Sequence, residues 1–527
     1  MKRIGIVVLG VLAAACAVVE DKASCASSLD CPAGQYCAVA DGESRCWPDT
    51  VAPAVAGVTA TCGASACPRD GVLRVEATAT DDHEVLDAAV ALDLDPTKPI
   101  AMRRAGAKWV ADVQLRDLPF EAFERTVVAS VTVRDGAKTS SAAAVAAPVA
   151  VTRLRWVKDA ETTSVVGLTA AAVRDDGAAV LGATNGKLYF FAAADGGRAA
   201  EPLLVASGQI TAAPAIGPSA VWVGSSDTYL YAAKLDGSGL LSGAGIGNYG
   251  AIGGSVAALV ASTKEFGVAA SNGGRVVAAS TTSDKPLTAA ADSFTAGPVI
   301  TADGRIFAAT DVLNATMRCY DFDGAFSDNK CLVPSNPTLG AGVLAPLAVD
   351  AAGDVWTASD DGKLSRTTKD GSTTNVVAVG AKLVDSPVIA SNGDVIVGDQ
   401  GGYLHRYTAA GASVWTTSFN LGGPVLAPMI LAGTATTLVT STKNGGVVAL
   451  RADGTKVWSG VLGSTELRAG NPYTPPGQTR TVMSTAYFPA SNGKLYAVIV
   501  DGALDAAAPW PKAFHDVRNT NNAGTRP

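Results

Sequence analysis

One phrase, used again and again, constrains this chain more than any other feature. TNGKLYFFAAADGG at 184–197 returns almost unchanged as SNGKLYAVIVDG at 491–502. Between them the same plan recurs: a short apolar strand, a Gly- or Asp-rich turn, then a second apolar strand. The copies are AVLGATNGKLYFF (179–191), AVWVGSSDTYLYAA (220–233), FGVAASNGGRVVAA (266–279) and RIFAATDVLNATMRCYDFDG (305–324). They continue as DVWTASDDGKLSRTTKDG (354–371), DVIVGDQGGYLHRYTAAG (394–411), LVTSTKNGGVVALRADG (438–454) and AYFPASNGKLYAVIVDG (486–502). Asn185 and Asn492 lie 307 residues apart, so seven intervals give about 44 residues per copy. A period of roughly 40–50 residues built only of short strands signals propeller blades of four strands each. Asn-Gly turns at 185, 272, 392, 444 and 492 suit this plan, because both residues tolerate positive φ and close two-residue hairpins. The expected fold class is all-β, with an eight-bladed β-propeller over 153–527. The strand around Leu154–Val157 (LRWV) ends in Trp like other outer strands, so it is expected to close the ring and remove free sheet edges.

The beginning of the chain reads differently. In MKRIGIVVLGVLAAAC, Lys2 and Arg3 precede an apolar run from Ile4 to Leu12. This reads as a signal peptide over 1–15. The run is too short for a membrane span, which needs roughly 20 residues. Ala13-Ala14-Ala15-Cys16 resembles a bacterial lipobox, although Ala13 stands where that motif usually has a bulky aliphatic residue. The resemblance implies cleavage before Cys16 and a lipid on its thiol. Ala17 in place of Asp implies an outer-membrane destination.

Of nine cysteines, setting Cys16 aside leaves eight, an even number in an exported chain. Cys25, Cys31, Cys37 and Cys46 fall in a 16–50 segment too short to bury a core, so two disulfides are expected to hold it. Cys25–Cys37 with Cys31–Cys46 is favoured among three pairings. Zinc is the competing reading, weakened by the lack of a CxxC pair. Cys62–Cys67 and Cys319–Cys331 would each clip one loop.

Residues 51–152 form a further module. VLRVEATATDD (72–82), VLDAAVALDLD (85–95), KWVADVQLRDL (108–118) and RTVVASVTVRDG (125–136) alternate apolar and polar residues as half-buried strands do. Their spacing predicts an antiparallel β-sandwich. The ATATDD strand ending and the VRDG turn resemble bacterial immunoglobulin-like domains, which implies a spacer or adhesion role.

The blade phrasing also carries a resemblance. APAIG, GPVIT, SPVIA and APMIL precede the second strands, and ADGTKVWSG (452–460) ends in the Asp-Gly-x-x-x-Trp manner. These resemble quinoprotein-alcohol-dehydrogenase-like, or pyrroloquinoline-quinone-like, eight-bladed propellers. The terminal WPKAFHDVRNTNNAG (510–524) resembles a segment found at the ends of exported propellers of this kind. The enzyme branch of that resemblance implies a quinone stacked on Trp and a calcium ion. Here no two cysteines are adjacent and no compact Glu/Asn/Asp set stands out, so no cofactor and no metal is expected.

Other chemical signals are weak. The GxGxxG match at Gly245, Gly247 and Gly250 needs a strand before it and a helix after it, and it lies between β-repeats. With only His83, His405 and His515 available, no nucleophile is paired with a base. His83 in DDHE could bind a metal but reads better as a loop residue. The net charge of −7, without a Lys/Arg cluster, excludes nucleic acid as a partner.

The expected protein is a non-enzymatic, monomeric outer-membrane lipoprotein. It is held at the membrane by Cys16, and its propeller binds a protein or peptide partner. In outline it resembles the propeller lipoprotein of the outer-membrane barrel-assembly machinery. A quinone-dependent dehydrogenase and a surface glycan-binding or adhesion protein are the alternatives.

Overall fold

The computed structural model describes residues 24–525 apart from 41, 142, 242–246, 262, 282–283, 290–292, 323–325, 328–336, 384, 416–418, 434 and 479–480. Cys16 and Cys331 lie outside the described residues, as does Gly245. Among the described residues no helix is long and apolar enough to cross a membrane.

The chain divides into two compact units. One comprises Met1–Ser65, Val72–Val113 and Thr126–Val149; the other comprises Ala66–Gly71, Gln114–Arg125 and Ala150–Pro527. The Cys-rich segment and most of 51–152 fall in the first unit, while 66–71, 114–125 and 150–152 fall in the second.

In the first unit two four-stranded antiparallel sheets pack together. One holds Ala54–Thr61, Val72–Thr80, Lys108–Gln114 and Arg103–Ala105; the other holds Ala144–Val145, Ala129–Asp135, Val85–Leu92 and Asp95–Ala101. Period-two alternation puts Leu73, Val75 and Ala77 inward on one sheet and Val131 and Val133 inward on the other. The strands Gln35–Ala40 and Glu43–Pro48 form a hairpin stapled by Cys25–Cys37 and Cys31–Cys46. Those two bonds use all four sulfurs and leave none to hold zinc. Gly34 N–H donates to the Ala137 carbonyl at 2.6 Å, and Ser28 Oγ donates to Glu84 at 3.1 Å, so the hairpin is tied to the sandwich. Cys62, Cys67 and Cys319 are also disulfide-bonded.

The second unit contains eight antiparallel sheets among its described residues. Their first strands are Ala172–Val173, Ala215–Ile216, Ala257–Ala261, Val299–Ile300, Ala348–Val349, Val388–Ile389, Met429–Ala432 and Asn471–Tyr473. The last sheet takes its outer strand from the start of the unit: Leu154–Asp159 pairs with Lys494–Asp501, placing Trp156 opposite Ala497. The first strands of the first and last sheets touch, so the succession closes on itself.

A second period explains how the sheets join. Leu168, Ile210, Ile252 and Phe294 each come 42 residues after the last, and Val343, Leu383, Val425 and Leu467 continue the series. All eight are buried. Each of the first seven donates its N–H to the end of the second strand in the preceding sheet. Examples are Ile210 to the Ala183 carbonyl at 3.1 Å and Val425 to that of Asp399 at 3.0 Å. The step from Phe294 to Val343 is longer because the fourth sheet carries an insertion that adds the strand Thr338–Gly340. Glycine ends the strand phrases VLG and VWVG for a packing reason. A Cβ on Gly182 or Gly224 would lie 2.2 or 2.1 Å from Cγ2 of Ile210 or Ile252.

Candidate functional site

The two faces of the eight-sheet unit differ. On one, the C-terminal segment runs beneath the first strands and takes up their free backbone groups. Val173 N–H donates to the Val517 carbonyl, Ile216 to Arg518, Ala258 to Thr520, Ile300 to Asn521, Ile389 to Trp510 and Ile430 to Pro511, all at 2.7–2.9 Å. Asn471 of the eighth sheet reaches the Val517 carbonyl with Nδ2 at 2.8 Å. Seven of the eight sheets are therefore hydrogen-bonded to one tail. Backbone donors on these short first strands would otherwise be orphaned in a dry interior.

The tail is held by buried polar side chains. Lys512 Nζ donates to the Asp516 carbonyl and to Asn519 Oδ1, and Asp516 accepts from the Thr520 amide at 3.0 Å. Burial pushes the Lys512 ammonium down to about 7, against the pull of Asp516 and Asp385. Burial also works to raise the Asp516 carboxyl, but hydrogen bonds and charge from His515, Thr520 and Thr525 leave it below the usual range. Phe514, His515, Asn519 and Asn521 adopt positive φ, a conformation these contacts must hold.

On the opposite, open face a funnel of about 370 Å³ leads toward Phe514 of the tail. All eight sheets line it. The residue that follows each buried apolar position, or the next few along, faces inward: Thr169, Thr211, Ser255, Thr295, Leu344, Asp385, Leu426 and Arg468. Small side chains therefore surround most of the wall, and charge collects on one side. There Lys443 lies 3.1 Å and Arg468 2.8 Å from Glu466. Asp385 is buried, and desolvation raises its carboxyl above the usual range. Two backbone amides, from Ser386 at 2.8 Å and Ala427 at 3.1 Å, and the Lys443 and Arg468 charges oppose that rise. Leu344 is 42% exposed.

The tail face carries a larger cleft, about 760 Å³. Its floor is the tail itself, whose Asp516, Thr520 and Thr525 side chains bond to one another. The funnel, by contrast, is walled by all eight linkers and carries Lys443, Arg468 and Leu344 together, which makes it the better candidate.

The sequence-predicted residues fall as follows. His405 occupies the place that Tyr189 and Tyr231 hold in other sheets. Its Nε2 lies 2.8 Å from Asp399 Oδ2, as the Tyr231 hydroxyl lies 2.8 Å from Asp227. It is a partly buried position outside the funnel. His515 is buried in the tail, its ring 4.8 Å from that of Trp510. Gly247 and Gly250 lie in a loop before the third sheet with φ of +86° and +92°, and no helix follows them among the described residues. Trp156 and Trp458 are on outer strands, and Trp415 lies before the outer strand Phe419–Asn420. Trp222 and Trp356 are on second strands, and all five are buried.

The funnel does not fit a quinone with calcium. No tryptophan lines it, and its one carboxylate aspartate already accepts a backbone amide on each oxygen.

Sequence reasoning missed Arg153. It is fully buried and donates to the carbonyls of Phe120 at 2.8 Å, Ala122 at 2.9 Å and Ile499 at 3.2 Å, with Asp501 2.8 Å away. Its guanidinium lies 4.9 Å from the Trp458 ring centre. It pins the 114–125 loop to the last sheet, and an arginine beside an apolar strand gives no such signal in sequence.

Comparisons with known proteins agree with this geometry. The family described as "Outer membrane protein assembly factor BamB" matches residues 341–522, so that region is a repeat of that kind. No curated protein matches the chain. The designed Ika8 protein is 14% identical, over 66% of this chain and 100% of its own, with a TM-score of 0.51. Sqt1 of Saccharomyces cerevisiae is 13% identical, over 66% of this chain and 99% of its own, with a TM-score of 0.54. At such identities the likeness shows the fold alone, and that fold is propeller-like.

Proposed function

We propose that this chain is an exported lipoprotein, anchored through Cys16 in the outer membrane, whose eight-bladed propeller is a non-catalytic docking module for a protein or peptide. The observation that carries this reading is the asymmetry of the two faces. The tail consumes the backbone donors of one face. The other keeps a funnel lined by every sheet, with Leu344 exposed on its wall and the Lys443–Arg468–Glu466 cluster on another part of it. A hydrophobic contact in a concave, mostly small-residue wall with charge on one side suits an extended peptide or protein loop. The match to the BamB-described family supports an envelope setting. The immunoglobulin-like sandwich and its stapled hairpin serve as a spacer, and the protein acts as a monomer. The glycan alternative is weaker, because sugar platforms need exposed aromatics and Trp156, Trp222, Trp356, Trp415 and Trp458 are buried.

The test is affinity purification of tagged protein from solubilised envelope, with mass spectrometry of what accompanies it. A stoichiometric protein partner supports the reading, and Cys16→Ser releases the protein from the membrane. Co-purified quinone with calcium and no partner would move it to the enzyme class.

A further inference from the structure

The sandwich unit holds an electrostatic anomaly away from the funnel. Asp49 ends the stapled hairpin segment. Asp81, Asp82 and His83 follow the strand Val72–Thr80, and Asp135 ends the strand Ala129–Asp135. Asp135 takes the inward place that continues Val131 and Val133, and it is fully buried. Asp49 is 5% exposed. One ligand atom from each of Asp49, Asp81, Asp82 and His83 lies within 4.8 Å of the others.

The three inner carboxylates share one pattern. Each uses Oδ1 to accept backbone amides of its own loop: Asp49 from Val51 at 3.0 Å, Asp81 from His83 at 3.0 Å and Glu84 at 2.9 Å, and Asp135 from Thr139 at 2.6 Å. Each leaves Oδ2 buried with no hydrogen bond. Among the described residues these three are the buried carboxylate oxygens in that state. Buried acceptors without donors are rare and call for a missing partner. Among the described residues no lysine or arginine pairs with these groups. His83 Nδ1 approaches Asp49 Oδ2 and Asp82 Oδ2 at 3.3 Å each, one imidazole against four carboxylates.

We propose that Asp49, Asp81 and Asp82, backed by Asp135, form a binding site for a hard divalent cation, with calcium the ion that best suits an all-carboxylate oxygen set. The ion would tie the stapled hairpin to the ends of strands from both sheets and so stiffen the unit. His83 borders the site without being required by it. This inference is independent of the docking reading.

The experiment uses the purified full chain, stripped with EGTA and titrated with calcium chloride by calorimetry and thermal unfolding. The expected result is one calcium per chain with Kd on the order of 10⁻⁴–10⁻³ M, as in extracellular modules, and a raised Tm. Asp82→Asn is at an exposed position and leaves the fold intact; it should weaken binding about tenfold or more. His83→Gln should keep calcium affinity within about twofold, because carboxylates carry the site. Absence of heat and of any Tm change up to about 10 mM calcium would overturn the proposal, that being beyond the range of such sites. Calcium binding unchanged in Asp82→Asn would also overturn it. So would zinc binding that His83→Gln abolishes while calcium has no effect.

Discussion

Lys512 Nζ lies 2.8 Å from Asn519 Oδ1 and 2.9 Å from the Asp516 carbonyl, inside the tail that joins seven sheets. The folded protein holds this ammonium near 7, against an ordinary value of 10.5. Between those two pH values the unfolded chain binds the proton and the folded chain does not. Stability from this group therefore rises with pH across that window, is level above it, and carries the full penalty below it. Unfolding midpoints in urea at pH 7, 8 and 9 should rise more steeply for the wild type than for Lys512→Met. Parallel slopes would show that Lys512 does not carry the dependence.

Asn471 donates Nδ2 to the carbonyls of Ala171 and Val517, both at 2.8 Å, in a site with 1% exposure. Asn471→Ala leaves both acceptors without that donor. It should cost about 2–3 kcal/mol by chemical denaturation. Truncation before Trp510 removes the tail donors and acceptors together, and should leave the repeat unit without a cooperative unfolding transition.

Trp156 closes the last sheet from the beginning of the unit. Its ring packs 5.8 Å from that of Tyr487, and Nε1 donates to the Ala193 carbonyl at 3.2 Å. Trp156→Ala should cost about 3–5 kcal/mol and expose the outer edge of Lys494–Asp501. Protease cleavage near 150–160 in the variant, and not in the wild type, is the accompanying readout.

Cys31–Cys46 closes a loop with a sequence separation of 15. The paired change Cys31→Ser, Cys46→Ser should destabilise the sandwich unit by about 3 kcal/mol and leave the repeat unit's transition unchanged. Two calorimetric transitions, of which only one moves, would check both statements.

These relationships were unequally visible in the sequence. The Asn-Gly turns and the LRWV strand announce their structure locally, because hairpin geometry and outer-strand patterning depend on neighbouring residues. The stapled cysteines are visible for the same reason. The apolar series from Leu168 to Leu467 is regular but carried by four residue types, so the turn phrases mask it. Asn471 and Arg153 were invisible because their partners are hundreds of residues away, at Ala171 and Ile499. The buried Asp135 looked like the end of an ordinary VRDG turn, since nothing in its strand reveals which carboxylates the other loops bring beside it. Funnel residues such as Leu344 became legible only once the ring had set which side of each linker faces inward.

The most direct measurement of the docking reading compares partner recovery by tagged wild type, Leu344→Asp and Val461→Asp from the same envelope preparation. Leu344 lines the funnel, whereas Val461 is 75% exposed on an outer strand. The account predicts that Leu344→Asp loses the partner by tenfold or more (about 1.4 kcal/mol), while Val461→Asp retains it. Equal recovery by all three proteins would contradict it and place binding away from the funnel.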